Sequence, residues 1–145
     1  MKINMIHTIA SQEILQLYVN TFNAEPWNEK WTLETANMRI NDYLKNPMAM
    51  AYEGQLDGKC VGFLMGYSTS FLGMREFYIE DFVITTELQR MGLGTEMLSF
   101  VQKDLSNRGI NSITLLTEKE LPSEKFYHKN GFNTNPNLIF MAKRF

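Results

Sequence analysis

The stretch from Phe77 to Gly109 constrains this chain most, because strand, loop and helix signals follow one another there without a gap. Phe77-Tyr78-Ile79-Glu80-Asp81-Phe82-Val83-Ile84 is rich in aromatic and β-branched residues, which favours a strand. Gln89-Arg90-Met91-Gly92-Leu93-Gly94 comes next. Met97, Leu98, Val101 and Leu105 then recur at helical spacing. Gly109 stands where a left-handed residue closes a helix, and Arg108 sits in the last turn at the negative end of the dipole.

The chemistry of such a loop follows from its geometry. The first amides of a helix have no intrahelical partner. Glycine puts no Cβ between the backbone and a ligand. Aligned N–H groups and the helix dipole then favour phosphate oxygens. The loop therefore points to a phosphorylated ligand at the start of a helix near Gly92. A P-loop needs Gly-Lys-Ser/Thr, but Gly94 is followed by Thr95-Glu96. A dinucleotide fingerprint needs a third glycine where Met97 stands. The other reading is a plain strand-to-helix turn whose glycines only provide tightness.

Gln-x-x-Gly-x-Gly from Gln89 to Gly94, between an aromatic-rich strand and an amphipathic helix, resembles the acetyl-CoA-binding motif of the GNAT N-acetyltransferase superfamily. Ser112-Ile113-Thr114-Leu115-Leu116 reads as the strand after that helix. Phe126-Tyr127-His128-Lys129-Asn130-Gly131-Phe132 resembles the family's Phe-Tyr-x-x-x-Gly-Phe signature. Ile139–Phe145 looks like the family's last strand. The match covers about the C-terminal half, and the N-terminal half agrees in its order of elements.

The resemblance implies an α+β GNAT (acyl-CoA N-acyltransferase) fold, a mixed and mostly antiparallel sheet flanked by helices, as a single domain over residues 1–145. It implies acetyl-CoA as cosubstrate. Main-chain groups of the Phe82-Val83-Ile84 strand would hold the pantetheine arm, those of Phe82 and Ile84 above all. Gln89, Arg90, Met91, Gly92, Leu93, Gly94 and Thr95 would hold the pyrophosphate. An extended pantetheine can pair with a strand edge as an added strand would.

By the same resemblance Tyr127 is the acid that protonates the leaving thiolate. A phenol with an ordinary pKa of about 10 is protonated at neutral pH and can donate. The other reading is a packing residue beside Phe126 and Phe132. The family's upstream asparagine and alanine are replaced by Glu120 and Ser123, which puts the asparagine's contact with CoA in doubt. Pro122 reads as the first residue of the short helix and Gly131 as its stop. His128 should not share a helical face with Tyr127 and reads as exposed.

Two acids lie in the central strand. By strict alternation Glu80 and Asp81 face opposite sides, and Glu80 shares a face with Tyr78 and Phe82, unless a bulge intervenes. Glu80 is the candidate general base, directly or through water. Its other reading is a solvated or ion-paired strand residue.

Upstream, Ser11 caps a helix carrying Ile14, Leu15, Tyr18 and Phe22, and Thr32 caps one carrying Leu33, Ala36, Ile40, Tyr43 and Leu44. Between them, Trp27 and Trp31 could stack on an organic amine, and Glu25 and Glu29 could attract a cation. Equally, the tryptophans could staple the two helices. Met48–Glu53 and Lys59–Ser68 read as a hairpin around Asp57-Gly58, with a second turn at Gly73. Antiparallel hairpins followed by strand–helix–strand give a mixed pattern with one crossover.

The chain has 145 residues, 44% hydrophobic and 21% charged, with net charge −2 and no basic run, so nucleic acid is not indicated. No apolar stretch is long enough to span a bilayer, and the N-terminus has no secretory pattern. One cysteine, Cys60, and two distant histidines offer neither an internal disulfide nor a metal cluster. These features favour a cytoplasmic protein with no metal and no membrane partner. The expected activity is acetyl transfer from acetyl-CoA to a primary amine of a small molecule or peptide, by direct attack in a ternary complex. The alternative is a non-catalytic acyl-CoA-binding sensor or scaffold. Homodimers are common in the family, and the sequence leaves one open.

Overall fold

The computed structural model describes residues 1–7 and 10–145. Five strands form one sheet in the order β1 (Lys2–Ile6), β2 (Ala49–Leu56), β3 (Lys59–Phe71), β4 (Met74–Ile84) and β5 (Ser112–Leu115). The first four pair antiparallel, and β5 joins β4 in parallel. Parallel pairing needs a crossover, and helix α3 (Leu93–Asn107) supplies it. Helices α1 (Gln12–Asn23) and α2 (Leu33–Leu44) precede β2, and α4 (Pro122–Lys129) follows β5.

The helices begin where their capping chemistry dictates. Ser11 Oγ accepts from the Ile14 amide. Thr32 and Thr35 form a reciprocal capping box at α2. Pro122 opens α4. Gly109 and Gly131 take positive φ just past α3 and α4, as expected.

Both faces of the sheet are covered. On one face Ile14, Leu15 and Tyr18 of α1 and Ala36 and Ile40 of α2 bury against Ala51, Phe63, Met65 and Val83. On the other, Met97, Leu98, Val101 and Leu105 of α3 bury against Tyr52, Leu64, Phe77, Ile79 and Ile84. Each buried Val, Leu, Ile, Phe or Met side chain among these stabilises the fold by roughly 1.5–3 kcal/mol.

Two expectations fail. The chain from Ile139 to Phe145 is not a strand. Leu138, Ile139, Phe140 and Met141 are 73–80% exposed. Isolated β propensity is too weak to hold a strand without a pairing edge, and β5 remains the last strand assigned among the described residues.

The second failure concerns alternation in β4. Register runs from Gly62↔Ile84 to Met65↔Asp81, then shifts so that Gly66 faces Ile79. Glu80 is the extra residue of a β-bulge. Phe77 and Ile79 pack on the α3 face before it, and Phe82 and Ile84 pack there after it. Val83 turns to the α1–α2 face. Glu80 and Asp81 therefore share a side, and Glu80 is separated from Phe82. Gly66 makes this possible: a Cβ there would lie 2.1 Å from the Tyr78 carbonyl oxygen and 2.5 Å from Phe77 Cζ.

Candidate active site

β5 pairs with β4 only from Glu76↔Ser112 to Ile79↔Leu115. Beyond Ile79 the outer edge of β4 has no strand beside it among the described residues. The Thr85 amide donates to Val61 O on β3, whereas Ile84 turns its carbonyl outward, where Gln89 Nε2 donates to it at 3.0 Å. By antiparallel alternation Phe82 turns its N–H and C=O to the same open edge. Gln89 thus ties the glycine loop to the strand.

The loop then enters α3 through left-handed residues. Arg90 has φ 64° and Gly92, the N-cap, has φ 86°. The first intrahelical bond runs from Glu96 N to Gly92 O at 3.0 Å. The amides of Leu93, Gly94 and Thr95 come before it and have no intrahelical acceptor. A Cβ on Gly94 would sit 3.1 Å from the Phe126 ring, so this glycine lets α4 approach the loop. Phe126 packs edge-on against Phe82 at 5.8 Å. Phe82, Ile84 and the loop from Gln89 to Thr95 thus lie together along the open edge of β4 and the start of α3, with Phe126 of α4 packed against Phe82 and Gly94. Val83 turns its backbone groups to Phe63 on β3 and its side chain to the far face, so it offers no group to the open edge. Arg90 and Met91 are exposed on the loop.

Tyr127 stands beside Phe126, at 5.2 Å between rings, and Phe132, at 5.3 Å. Burial pushes its pKa up, and the negative charge of Asp81 pushes it further. The phenol is thus held protonated and lies within electrostatic reach of Asp81. His128 points elsewhere: its Nδ1 lies 3.0 Å from Phe132 O, which fastens the end of α4.

On the α1–α2 side the bulged acids meet Arg39 of α2. Arg39 Nη2 donates to Glu80 Oε1 at 2.7 Å, and Nε donates to Asp81 Oδ2 at 3.0 Å. Tyr18 OH donates to Asp81 Oδ2 at 3.0 Å, and Tyr43 OH donates to Glu80 Oε2 at 3.2 Å. Burial works against the Arg39 charge, but the hydrogen bonds and charge of Asp81 more than offset it. Both tyrosines are held protonated, Tyr18 by burial and Asp81, Tyr43 by burial and Glu80. The guanidinium also lies 5.9 Å from the Trp31 ring centroid.

A cavity of about 470 Å³ opens against this cluster, lined by Trp31, Arg39, Asp42, Tyr43, Asn46 and Tyr67. Of the four residues expected at the acceptor site, Trp31 lines it, and the exposed Glu29 accepts from Trp31 Nε1. Trp27 packs on Phe22 at 5.9 Å instead, and Glu25 lies exposed in the turn between α1 and α2. Arg39, Asp42, Tyr43, Asn46 and Tyr67 were not singled out from sequence. Arg39, Tyr43 and Asn46 follow one another at helical spacing beside the apolar face of α2, which was the available signal.

A larger groove of about 800 Å³ runs along α1 past Cys60 and Thr85–Glu87. None of the acid-cluster residues lines it. Burial and the nearby Glu53 push the Cys60 thiol up to about 12, so it is a poor nucleophile. Among the described residues no group of His, Cys, Asp and Glu could hold a metal ion, and no helix is long and apolar enough to cross a membrane.

Solved structures share this architecture over nearly the whole chain. A ribosomal-protein-alanine N-acetyltransferase from Brucella melitensis biovar Abortus superposes with TM-score 0.77 at 16% identity, covering 100% of both chains. A transcriptional regulator from Bacillus halodurans gives 0.76 at 18% identity, over 99% of this chain and 100% of that one. An aminoglycoside acetyltransferase from an uncultured soil metagenomic sample, in complex with sisomicin, gives 0.73 at 16% identity, over 99% and 95%. No curated protein matches significantly in sequence. At such identities these likenesses show the fold alone. The sequence model of the acetyltransferase (GNAT) family matches residues 11–132, most of the chain, and the protein belongs to that family.

Proposed function

We propose that residues 1–145 act as one cytoplasmic N-acetyltransferase domain that moves an acetyl group from acetyl-CoA to a primary amine. The observation that carries this reading is the open edge of β4. It runs from the amides at the start of α3, past Phe82, to the Glu80–Asp81 bulge, and Tyr127 stacks on Phe126, which packs against Phe82.

The residues present suit acetyl-CoA. Glycine at positions 92 and 94 removes the Cβ at the free amides that would face its pyrophosphate. Phe82 backbone groups are available to its pantetheine amides. Acetyl-CoA supplies an activated acyl group as a thioester.

This chain's residues then do three things. Trp31, Tyr43 and Tyr67 wall the acceptor, and their ring faces suit an organic cation there. Glu80, reached through water, takes the proton that the ammonium must lose before its nitrogen can attack. Backbone donors on the open edge of β4 polarise the thioester carbonyl. As the N–C bond forms and the C–S bond breaks, Tyr127 gives its proton to the departing sulfur. Amide and free thiol are the products, with no covalent enzyme intermediate.

The test is a thiol-release assay over cadaverine, spermidine, sisomicin and a lysine-containing tripeptide. CoA thiol appearing only when both acetyl-CoA and an amine are present is expected. Binding of acetyl-CoA with no release on any amine favours the sensor reading instead.

A further inference from the structure

We propose that Arg39 is the positioning residue of the acceptor site, fixing the two bulge carboxylates behind the wall of the cavity that it lines. The inference rests on the acetyl-transfer reading and adds a residue to it.

The bulge places two like charges side by side on one surface of β4. Adjacent carboxylates repel, and each would turn toward water if left alone. Arg39 prevents this with a planar fork that suits two acceptors at once. It reaches Glu80 Oε1 at 2.7 Å and Asp81 Oδ2 at 3.0 Å. The side chains of Arg39, Glu80 and Asp81 are 34%, 26% and 10% exposed, so the contact is partly desolvated. A partly buried, multiply hydrogen-bonded pair orients its members far better than a surface pair.

The consequence is directional. Arg39 occupies Oε1 of Glu80, which leaves Oε2 for Tyr43 OH at 3.2 Å. Tyr43 and Arg39 both line the 470 Å³ cavity. Both Glu80 oxygens are thus held by side chains that line the space where an amine would sit. Asp81 is held by the same guanidinium through Nε, and Tyr18 OH donates to the same Asp81 oxygen. One cation thus fixes both carboxylates of the bulge. The hydrogen bonds of Arg39 go to Tyr18, Glu80 and Asp81, none of them an expected cofactor residue, so its loss should spare acetyl-CoA binding.

The experiment is a double-mutant cycle with R39A, E80Q and R39A/E80Q, using the best amine from the four probes above. R39A is expected to lower kcat/KM for the amine roughly 10- to 100-fold, with the acetyl-CoA Kd from calorimetry unchanged. Because Arg39 acts through Glu80, adding R39A to E80Q is expected to cost less than about threefold more. R39K, which can reach only one carboxylate well, is expected to fall between wild type and R39A. Equal kcat/KM in wild type and R39A, or full additivity in the cycle, overturns the proposal. Should R39A fail to fold, R39K is read in its place, and wild-type kcat/KM in R39K overturns it. A wild-type protein that turns over no amine removes the acetyl-transfer reading, and this proposal with it. Turnover by wild type with no effect of R39A removes the proposal alone.

Discussion

Glu80 and Asp81, neighbours in sequence on a β-strand, turn their carboxylates to the same side and meet one guanidinium. Strands alternate, so this needs the bulge at Glu80, and the bulge needs a glycine opposite. Gly66 fills that place under the Tyr78 carbonyl. The chemistry of the site thus depends on a residue of β3 that never touches the reacting groups.

Gly66→Ala is accordingly expected to destabilise the fold by about 1–3 kcal/mol, since a methyl group at 2.1 Å from a backbone oxygen cannot be relieved by a rotamer change. Thermal melting checks this. For a domain of this size the shift is roughly 3–10 °C downward. Any variant that still folds should lose acetyl transfer as well, because straightening β4 sends Glu80 and Asp81 to opposite faces. An unchanged melting temperature would show that β3 tolerates the methyl group and that Gly66 does not secure the bulge.

Tyr127→Phe keeps the ring packing with Phe126 and Phe132 and removes only the hydroxyl. Turnover is expected to fall about 100-fold or more, with the acetyl-CoA Kd unchanged. Steady-state kinetics on the best amine decides it. Undiminished kcat would mean the departing thiolate takes its proton from water.

Cys60 gives a pH signature separate from catalysis. Its thiol moves from 9.0 to about 12 in the folded protein, chiefly through burial. A raised pKa favours the protonated form in the fold. The stabilisation is complete below pH 9, where both states are protonated, and is lost as pH rises from 9 toward 12. Urea midpoints measured from pH 8 to 11 should therefore fall more steeply for wild type than for Cys60→Ala. Parallel curves would argue against a buried thiol. Iodoacetamide at pH 8 should modify the native thiol slowly.

The strand–loop–helix stretch was legible because each of its signals is local. Aromatic and β-branched residues mark β4, Gly92 marks the entrance to α3, and Gly109 marks its end. The caps at Ser11 and Thr32 were legible for the same reason. The bulge was not. Its cause lies in how β3 and β4 register against each other, and nothing near Glu80 in sequence announces it. Arg39 was invisible for a related reason, because its carboxylate partners lie more than forty residues away. Ile139–Phe145 misled in the opposite sense: strand-like composition without a pairing edge gives no strand.

The central claim is that the open edge of β4 and the start of α3 receive acetyl-CoA. Calorimetric titration of the wild-type protein with acetyl-CoA tests it most directly, with Gly94→Val as the comparison. The account expects saturable binding near one site per chain. It also expects at least tenfold weaker binding for Gly94→Val, whose side chain would press on Phe126 and cover the free amides. No heat of binding to wild type, at concentrations where the protein is folded, would contradict the account.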